Sequence, residues 1–586
     1  MGITNGLTDY GDPEFAAYLR GAFASSMGYS EEALDRPIVG ITWTASDYNN
    51  CHRLAPELIE AVKRGALMEG ALPMVFPTIS LGEGFLNPTS MYFRNMLAME
   101  TEEMIKGQPM DSVVMVGGCD KTIPGQTMAA LSADVPTVVL PVGPMMTGSF
   151  EGERLGACTD CRRYWGQYRA GTMTRARLDL VKQRLASTAG TCPVMGTAST
   201  MASIVETLGL ALPGSATIPA VAADRLRIAE ESGRRAAQLA RDGGPSPRTF
   251  VTERSVENAL RMLLAISGST NALIHLTAMA RRAGVRVDLE RFNELSDETP
   301  VIVSLKPTGD GYMEDFHRAG GVRAVLRELP DLFDLDAPTI GGGTLRDHID
   351  PEDTYRDHAV VRPASDPVNP VGGLVTLFGS LAPTGAILKR AAATPELFER
   401  TGRAVVFTSP EDLAERIDDP DLDVTADDFL VMQNGGPIAS GMPEAGYLPI
   451  PKKLLAQGVT DMVRLSDARM SGTAYGTVVL HISPETALGG PLSKVRTGDL
   501  IRLSVRERRL DLLVDEETLA SREPEIRLLA RKSAFAKLHR AEVMQAPDGC
   551  DFRSAVEDEA DADAESAANA AAVSGSGAHS TERQPA

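Results

Sequence analysis

From Arg36 to Gly379 the chain alternates short apolar runs with segments of helical period. That alternation constrains the fold more than any other feature. "RPIVGITWT", "LPMVFPTIS", "DSVVMVGG", "VPTVVLPVG" and "TPVIVSLKP" read as buried strands. "APELIEAVKRGALMEG" and "TSMYFRNMLAMETEEMIKG" read as helices between them. Strand–helix alternation predicts an α/β/α sandwich with a largely parallel sheet and helices on both faces. After "GSLAPTGAILKRAA" the texture shifts to short β-rich runs separated by turn residues, which predicts a second, β-barrel-like domain with a few helices. The expected organisation is an N-terminal extension over 1–35, an α/β domain over 36–379, a β-barrel-like domain over 380–555, and a disordered acidic tail over 556–586.

Composition narrows the function classes. At 586 residues the chain is long enough for two or more domains. A formal net charge of -21 argues against a nucleic-acid partner, which would favour a basic face. No apolar run approaches the ~18–20 residues of a membrane span, and the N-terminal stretch lacks the basic-then-apolar pattern of a secretory signal. The 6 cysteines are too sparse for a disulfide framework, so a reducing cytoplasm is the expected compartment.

The chemistry concentrates at predicted element ends. "VVMVGGCDKTIPGQTMAA" places Cys119, Asp120 and Lys121 side by side where a strand stops, before a Pro-Gly break and a small-residue helical pattern. Cys51 and Cys192 also lie in Gly-, Ser-, Thr- and Asn-rich turns, where backbone can approach a bound group closely. Three thiolates converging there could hold an iron–sulfur cluster with one open position; as three buried cysteines they would simply be small hydrophobes. The "CTDC" of Cys158 and Cys161 is compatible with redox chemistry or half a zinc site, but no second CxxC or His pair completes it. Cys550 near the tail reads as incidental. Glu83, Asp120 and Glu444 are loop carboxylates of the kind magnesium takes, though a lone loop acid is usually solvated surface. Ser471, in "SDARMSGTAYG", is either a turn residue or a base whose alkoxide would need strong stabilisation. The eight histidines form no HxH or HExxH pattern.

Seven stretches in order resemble one family. "GGCDKTIPGQTMAA", "GTCPVMGTASTMASIVETLGLALPG", "SGSTNALIHLTAMA", "KPTGDGYMEDFHRAGG", "LAPTGAILK", "GMPEAGYLPIP" and "SDARMSGTAYG" look like the blocks of the dihydroxy-acid and phosphogluconate dehydratases. "LGEGFLNPTSMYFRNMLAMETEEMI" and "MPEAGYLPIPKKL" look closer to the pentonate (L-arabinonate or D-xylonate) branch. The resemblance implies Cys51, Cys119 and Cys192 as iron–sulfur ligands, of a [2Fe–2S] cluster in that branch and [4Fe–4S] in some relatives. It implies Glu83, Asp120 and Glu444 as magnesium ligands, with Lys121 carbamylated beside them. Ser471 falls at the position of the base and Thr473 at a substrate contact, while Cys158 and Cys161 match no cluster ligand. The implied reaction converts a sugar acid, a pentonate above all, to its 2-keto-3-deoxy acid with loss of water, in a homodimer or homotetramer. The runner-up is dihydroxy-acid dehydration in branched-chain amino-acid synthesis. A non-catalytic iron–sulfur sensor would need only the thiols, and the presence of all of Glu83, Asp120, Lys121, Glu444 and Ser471 argues against it.

Overall fold

The computed structural model describes residues 2–4, 11–349 and 355–556. From 557 on, the acidic tail expected at 556–586 lies outside them.

Four strands form a parallel sheet in the order β2-β1-β3-β4: β1 (Ile38–Trp43), β2 (Leu72–Pro77), β3 (Ser112–Gly117) and β4 (Thr137–Pro141). An amphipathic helix α1 (Pro13–Ser26) precedes the sheet, capped by the Asp12 carboxylate. Helices α2 (Ala55–Met68), α3 (Ser90–Gly107) and α4 (Cys119–Ala133) make the crossovers. Strand side chains alternate between faces. Val114 and Val116 join a core with Leu58, Ile59 and Val62 of α2, whereas Val113 and Met115 pack with Ile105 of α3 and Ala129 of α4. The expected sandwich of helices on both faces is what the chain builds.

Further along come α5 (Thr159–Arg169), α6 (Thr197–Thr207), α7 (Ala223–Asp242), α8 (Glu253–Ala265) and α9 (Thr270–Arg282). A small hairpin, β5 (Gly148–Phe150) and β6 (Glu153–Leu155), lies before α5.

Two expectations need correction. "TPVIVSLKP" is buried but is not a sheet strand, forming only isolated bridges. Its amides are claimed one by one by irregular segments: Val301 N–H by the Asn369 carbonyl, Ile302 by Ala265, Ser304 by Val360. The Pro-Gly of "CDKTIPG" is not a break either. Helix α4 begins at Cys119 and runs through Pro124, which is buried within it. Pro124 lies close enough to the helix start that the chain loses little more than the amide bond that would have gone to Asp120.

The second sheet has eight strands in the order β14-β13-β9-β10-β11-β12-β8-β7. They are β7 (Val375–Leu377), β8 (Gly385–Leu388), β9 (Glu399–Phe407), β10 (Phe429–Met432), β11 (Arg464–Ser466), β12 (Val478–Ser483), β13 (Leu500–Ser504) and β14 (Arg509–Leu512). The centre, β9 to β12, is parallel and the flanks are antiparallel. The two edges nearly meet: Phe378 N–H donates to the Arg508 carbonyl at 2.9 Å and its carbonyl accepts from Leu510 N–H at 2.8 Å. The barrel-like expectation therefore holds, with a parallel core that the turn-rich sequence did not announce. No helix among the described residues is long and apolar enough to cross a membrane.

Candidate active site

Ligands gather where parallel strands end, because loops there are free to vary while the sheet holds their roots. Both sheets use this edge. Cys51 follows β1, Glu83 follows β2 and Cys119 follows β3. Cys192 comes from further along, yet Thr191 pairs with the continuation of β4, its N–H donating to Gly143 O at 3.0 Å and its carbonyl accepting from Met145 N–H at 2.9 Å. From the second sheet, Glu444 follows β10 and Ser471 follows β11. All of these, with Asp120 and Thr473, line one cavity of about 510 Å³. Lys121 stands directly behind the wall, fully buried.

Carboxylates occupy one side. Glu83, Asp120 and Glu444 each offer an oxygen within 4.8 Å of the others. Two buried cations neutralise them. Lys121 Nζ lies 3.1 Å from Glu83 Oε2 and 3.4 Å from Asp120 Oδ2. Arg469 spans the two sheets, donating to Glu83 at 2.7 Å, Glu444 at 2.8 Å and the Thr89 hydroxyl at 2.8 Å. Ser90 also donates to Glu83. Burial raises Glu83, but Arg469 and Lys121 outweigh it and hold the carboxyl down at about 2. Glu444 is raised, by burial first and then by the charge of Glu83. Three convergent, partly buried carboxylate oxygens on an open cavity fit a small hard cation that keeps some of its own waters, which is the donor chemistry of magnesium.

Thiols occupy the other side. Neighbouring Cys119, together with burial, pushes Cys51 well up. Cys158 and Cys192 lie Sγ to Sγ at 3.1 Å. Cys192 is raised: its contact with Cys158 lowers it, but burial and the nearby Asp120, Cys51 and Cys119 prevail. Cys158 is raised well up too: Cys161 lowers it, but Cys192 and burial prevail. Buried thiols that repel one another's charge fit a site made to be ionised by a metal centre, since coordination removes the proton that burial otherwise retains. The donor set therefore fits an iron–sulfur cluster.

Local structure aims these groups. Cys119 is the first residue of α4 and sits at φ 45, a left-handed conformation uncommon for a residue with a side chain. His52 braces the two cysteine turns. Its Nε2 accepts from Gly118 N–H at 2.8 Å, and its Nδ1 meets the Thr44 carbonyl at 3.0 Å. Burial lowers its pKa to about 4 against both hydrogen bonds, so the ring is neutral. That matches a tautomer with the proton on Nδ1. Ser471 Oγ lies 2.8 Å from Thr473 Oγ1, and Thr473 N–H points to it at 3.4 Å. The Thr473 carbonyl in turn accepts from Thr159 at 3.0 Å.

Every expected site residue thus reaches the same place. Arg469, His52, Thr89 and Cys158 were not singled out as partners of the site. Arg469 sits two residues before Ser471 in a quoted block, but nothing in one sequence says it crosses to Glu83.

The N-terminal model of the dihydroxy-acid/6-phosphogluconate dehydratases matches residues 36–348, and the C-terminal model matches 359–550. The chain belongs to this family. As a member it is a dehydratase, a hydro-lyase acting on a small molecule. It is 43% identical to the L-arabinonate dehydratase of Rhizobium leguminosarum bv. trifolii, over 91% of this chain and 93% of that protein. It is 41% identical to the 6-deoxy-6-sulfo-D-gluconate dehydratase of Pseudomonas putida, over 89% and 91%. The dihydroxy-acid dehydratase of Maridesulfovibrio salexigens is 34% identical, over 90% and 96%.

Proposed function

We propose that this dehydratase converts an aldonate, above all a pentonate, to its 2-keto-3-deoxy acid, using an iron–sulfur cluster and magnesium. One observation carries the reading: a wall of thiols, a carboxylate triad and the Ser471–Thr473 pair face one cavity. Cys51, Cys119 and Cys192 would hold the cluster, and Glu83, Asp120 and Glu444 the magnesium, with Lys121 as a carbamate beside it. Bound there, the hard ion supplies charge stabilisation for a developing enolate and the cluster a Lewis acid for the departing hydroxyl.

The chain's own groups supply the rest. Ser471 takes the proton from C2 of the substrate. Its oxygen has two adjacent donors, the hydroxyl and the N–H of Thr473, which stabilise negative charge on it. The Lys121 carbamate would replace a cation by an anion among three carboxylates, leaving Arg469 and, 3.8 Å from Glu444, Arg162 as the protein cations of the cluster and raising the demand for a metal. Asn50, Arg162 and Thr197 line the cavity as polar partners for a hydroxylated chain, beside the apolar Leu86, Pro88 and Met145. The names of the arabinonate and sulfogluconate relatives favour an aldonate over a branched alkyl acid. The α/β domain would thus carry the cluster and two of the magnesium ligands, and the β-barrel-like domain Glu444 and the base, in a cytoplasmic homodimer or homotetramer.

An anaerobic assay of iron, sulfide and turnover tests this. We expect activity on arabinonate or xylonate above that on gluconate, 6-deoxy-6-sulfogluconate and dihydroxy-isovalerate. Preference for the branched substrate would replace the aldonate reading. Ser471→Ala should keep the cluster spectrum and lose dehydration by at least about 100-fold; retained turnover removes the serine from the base role.

A further inference from the structure

Cys158 and Cys161 are the thiols that neither the family resemblance nor the proposed reaction uses, yet both lie in the same cavity wall as the other three. We propose that Cys158 is a fourth thiolate donor of the resting site, beside Cys192 and in one cavity with Cys51 and Cys119. The inference rests on the cluster reading above and adds a ligand to it.

Cys158 lies 3.1 Å from Cys192, Sγ to Sγ, and Cys51 and Cys119 line the same cavity. Four cysteine sulfurs are what an all-cysteine binuclear cluster takes, two for each metal.

Cys158 is also held in place, as a ligand must be. It caps α5 at φ 79. Two residues on, buried Asp160 accepts from Gly156 N–H at 2.7 Å, Lys306 at 3.0 Å and Tyr312 at 3.1 Å. That network anchors the helix start to the block "KPTGDGYMEDFHRAGG". The second cysteine of CTDC also lines the cavity, but its thiol donates to the Cys158 carbonyl at 3.0 Å. Cys161 thus supports the backbone while Cys158 faces Cys192.

A fourth thiolate would fill the position a substrate hydroxyl needs, so substrate must free it. The chain has a route for that coupling, because Thr159 next to Cys158 donates to the carbonyl of Thr473 in the serine loop.

The test compares anaerobically purified full-length wild type, Cys158→Ser and Cys161→Ser without substrate. Wild type and Cys161→Ser should carry equal iron and sulfide, with the same visible circular dichroism and the same paramagnetic spectrum after reduction. Cys158→Ser should keep iron and sulfide on the remaining three donors, show a shifted spectrum, and lose iron to a chelator roughly tenfold faster. A Cys158→Ser chain matching wild type in spectrum and iron loss overturns the proposal. If no variant carries sulfide, or the thiols hold zinc instead, the cluster itself is wrong and the proposed function falls with it. Should Cys158→Ser fail to fold, wild type decides alone. Iodoacetamide should label Cys158 in the iron-free chain and not in the loaded one; equal labelling overturns the proposal.

Discussion

Arg469 joins the two halves of the site with one guanidinium. It is fully buried and charged, since Glu83 and Glu444 overcome the burial that lowers it. Removing one partner of a buried ionic group leaves the others uncompensated, at a cost of about 3–5 kcal/mol. Arg469→Met should therefore destabilise the metal-free chain by about that much in urea melts, and added Mg2+ should restore part of the loss by neutralising the carboxylates in its place. Arg469→Lys should not rescue it, because an ammonium cannot span three acceptors in a plane. Lys389 is a different buried cation. It ends the block "LAPTGAILK", fully buried, with its amine 3.4 Å from the Gly472 carbonyl. Burial lowers it to about 7. The unfolded chain keeps that proton up to the ordinary amine value, so between these limits the unfolded state binds more protons and stability rises with pH. Lys389→Met should remove a slope of at most about 1.4 kcal/mol per pH unit between pH 7 and pH 10. Parallel pH profiles for wild type and variant would show the amine to be solvated. Residues such as Glu83 and Ser471 were legible as candidates because their turn contexts are local. Arg469 and Lys389 were not, because burial and partners 386 residues apart in the chain, as between Arg469 and Glu83, exist only after folding.

At the scale of elements, the strands β1 to β4 and the helices α2 and α3 were legible because each is a contiguous run whose period matches its environment. "TPVIVSLKP" has the same apolar texture, and its amides go to three different segments, a choice no local period records. The parallel centre β9–β12 was hidden for a related reason: the runs read as β, but which neighbours pair is set by crossovers. Helix packing shows the same limit. Helices α2 and α7 meet through Gly65 and Gly233. A Cβ on Gly65 would come within 1.9 Å of Glu230 O, and one on Gly233 within 2.0 Å of Val62 O. These are backbone atoms, so the helices must move apart to admit a methyl group. Gly65→Ala should destabilise the chain by about 1–3 kcal/mol in denaturant melts, although alanine is the better helix former. A neutral or stabilising result would mean that α2 and α7 have room to separate.

On the scale of the whole molecule, the carboxylate site belongs to neither sheet alone. Glu83 comes from the loop after β2 and Asp120 from the first turn of α4 on the four-stranded sheet, and Glu444 from the eight-stranded one. A cation held by all three would tie the two units together, and its binding would stabilise the assembled chain but not either unit apart. Ligand binding to the native state stabilises it by mass action, about 2.7 kcal/mol when the ligand is at 100 times its dissociation constant. Mg2+ should thus raise the Tm of wild type in a concentration-dependent way. Glu444→Gln removes the donor that the second sheet supplies, while Glu83 and Asp120 stay on the first. If the ion bridges the sheets, this variant should lose most of the Mg2+-dependent rise and need at least about tenfold more Mg2+ to recover any of it. If the ion is held by the first sheet alone, Glu444→Gln should keep the wild-type response. The comparison isolates bridging from simple binding because both proteins retain Lys121 and Arg469, the two buried cations that balance the site without metal.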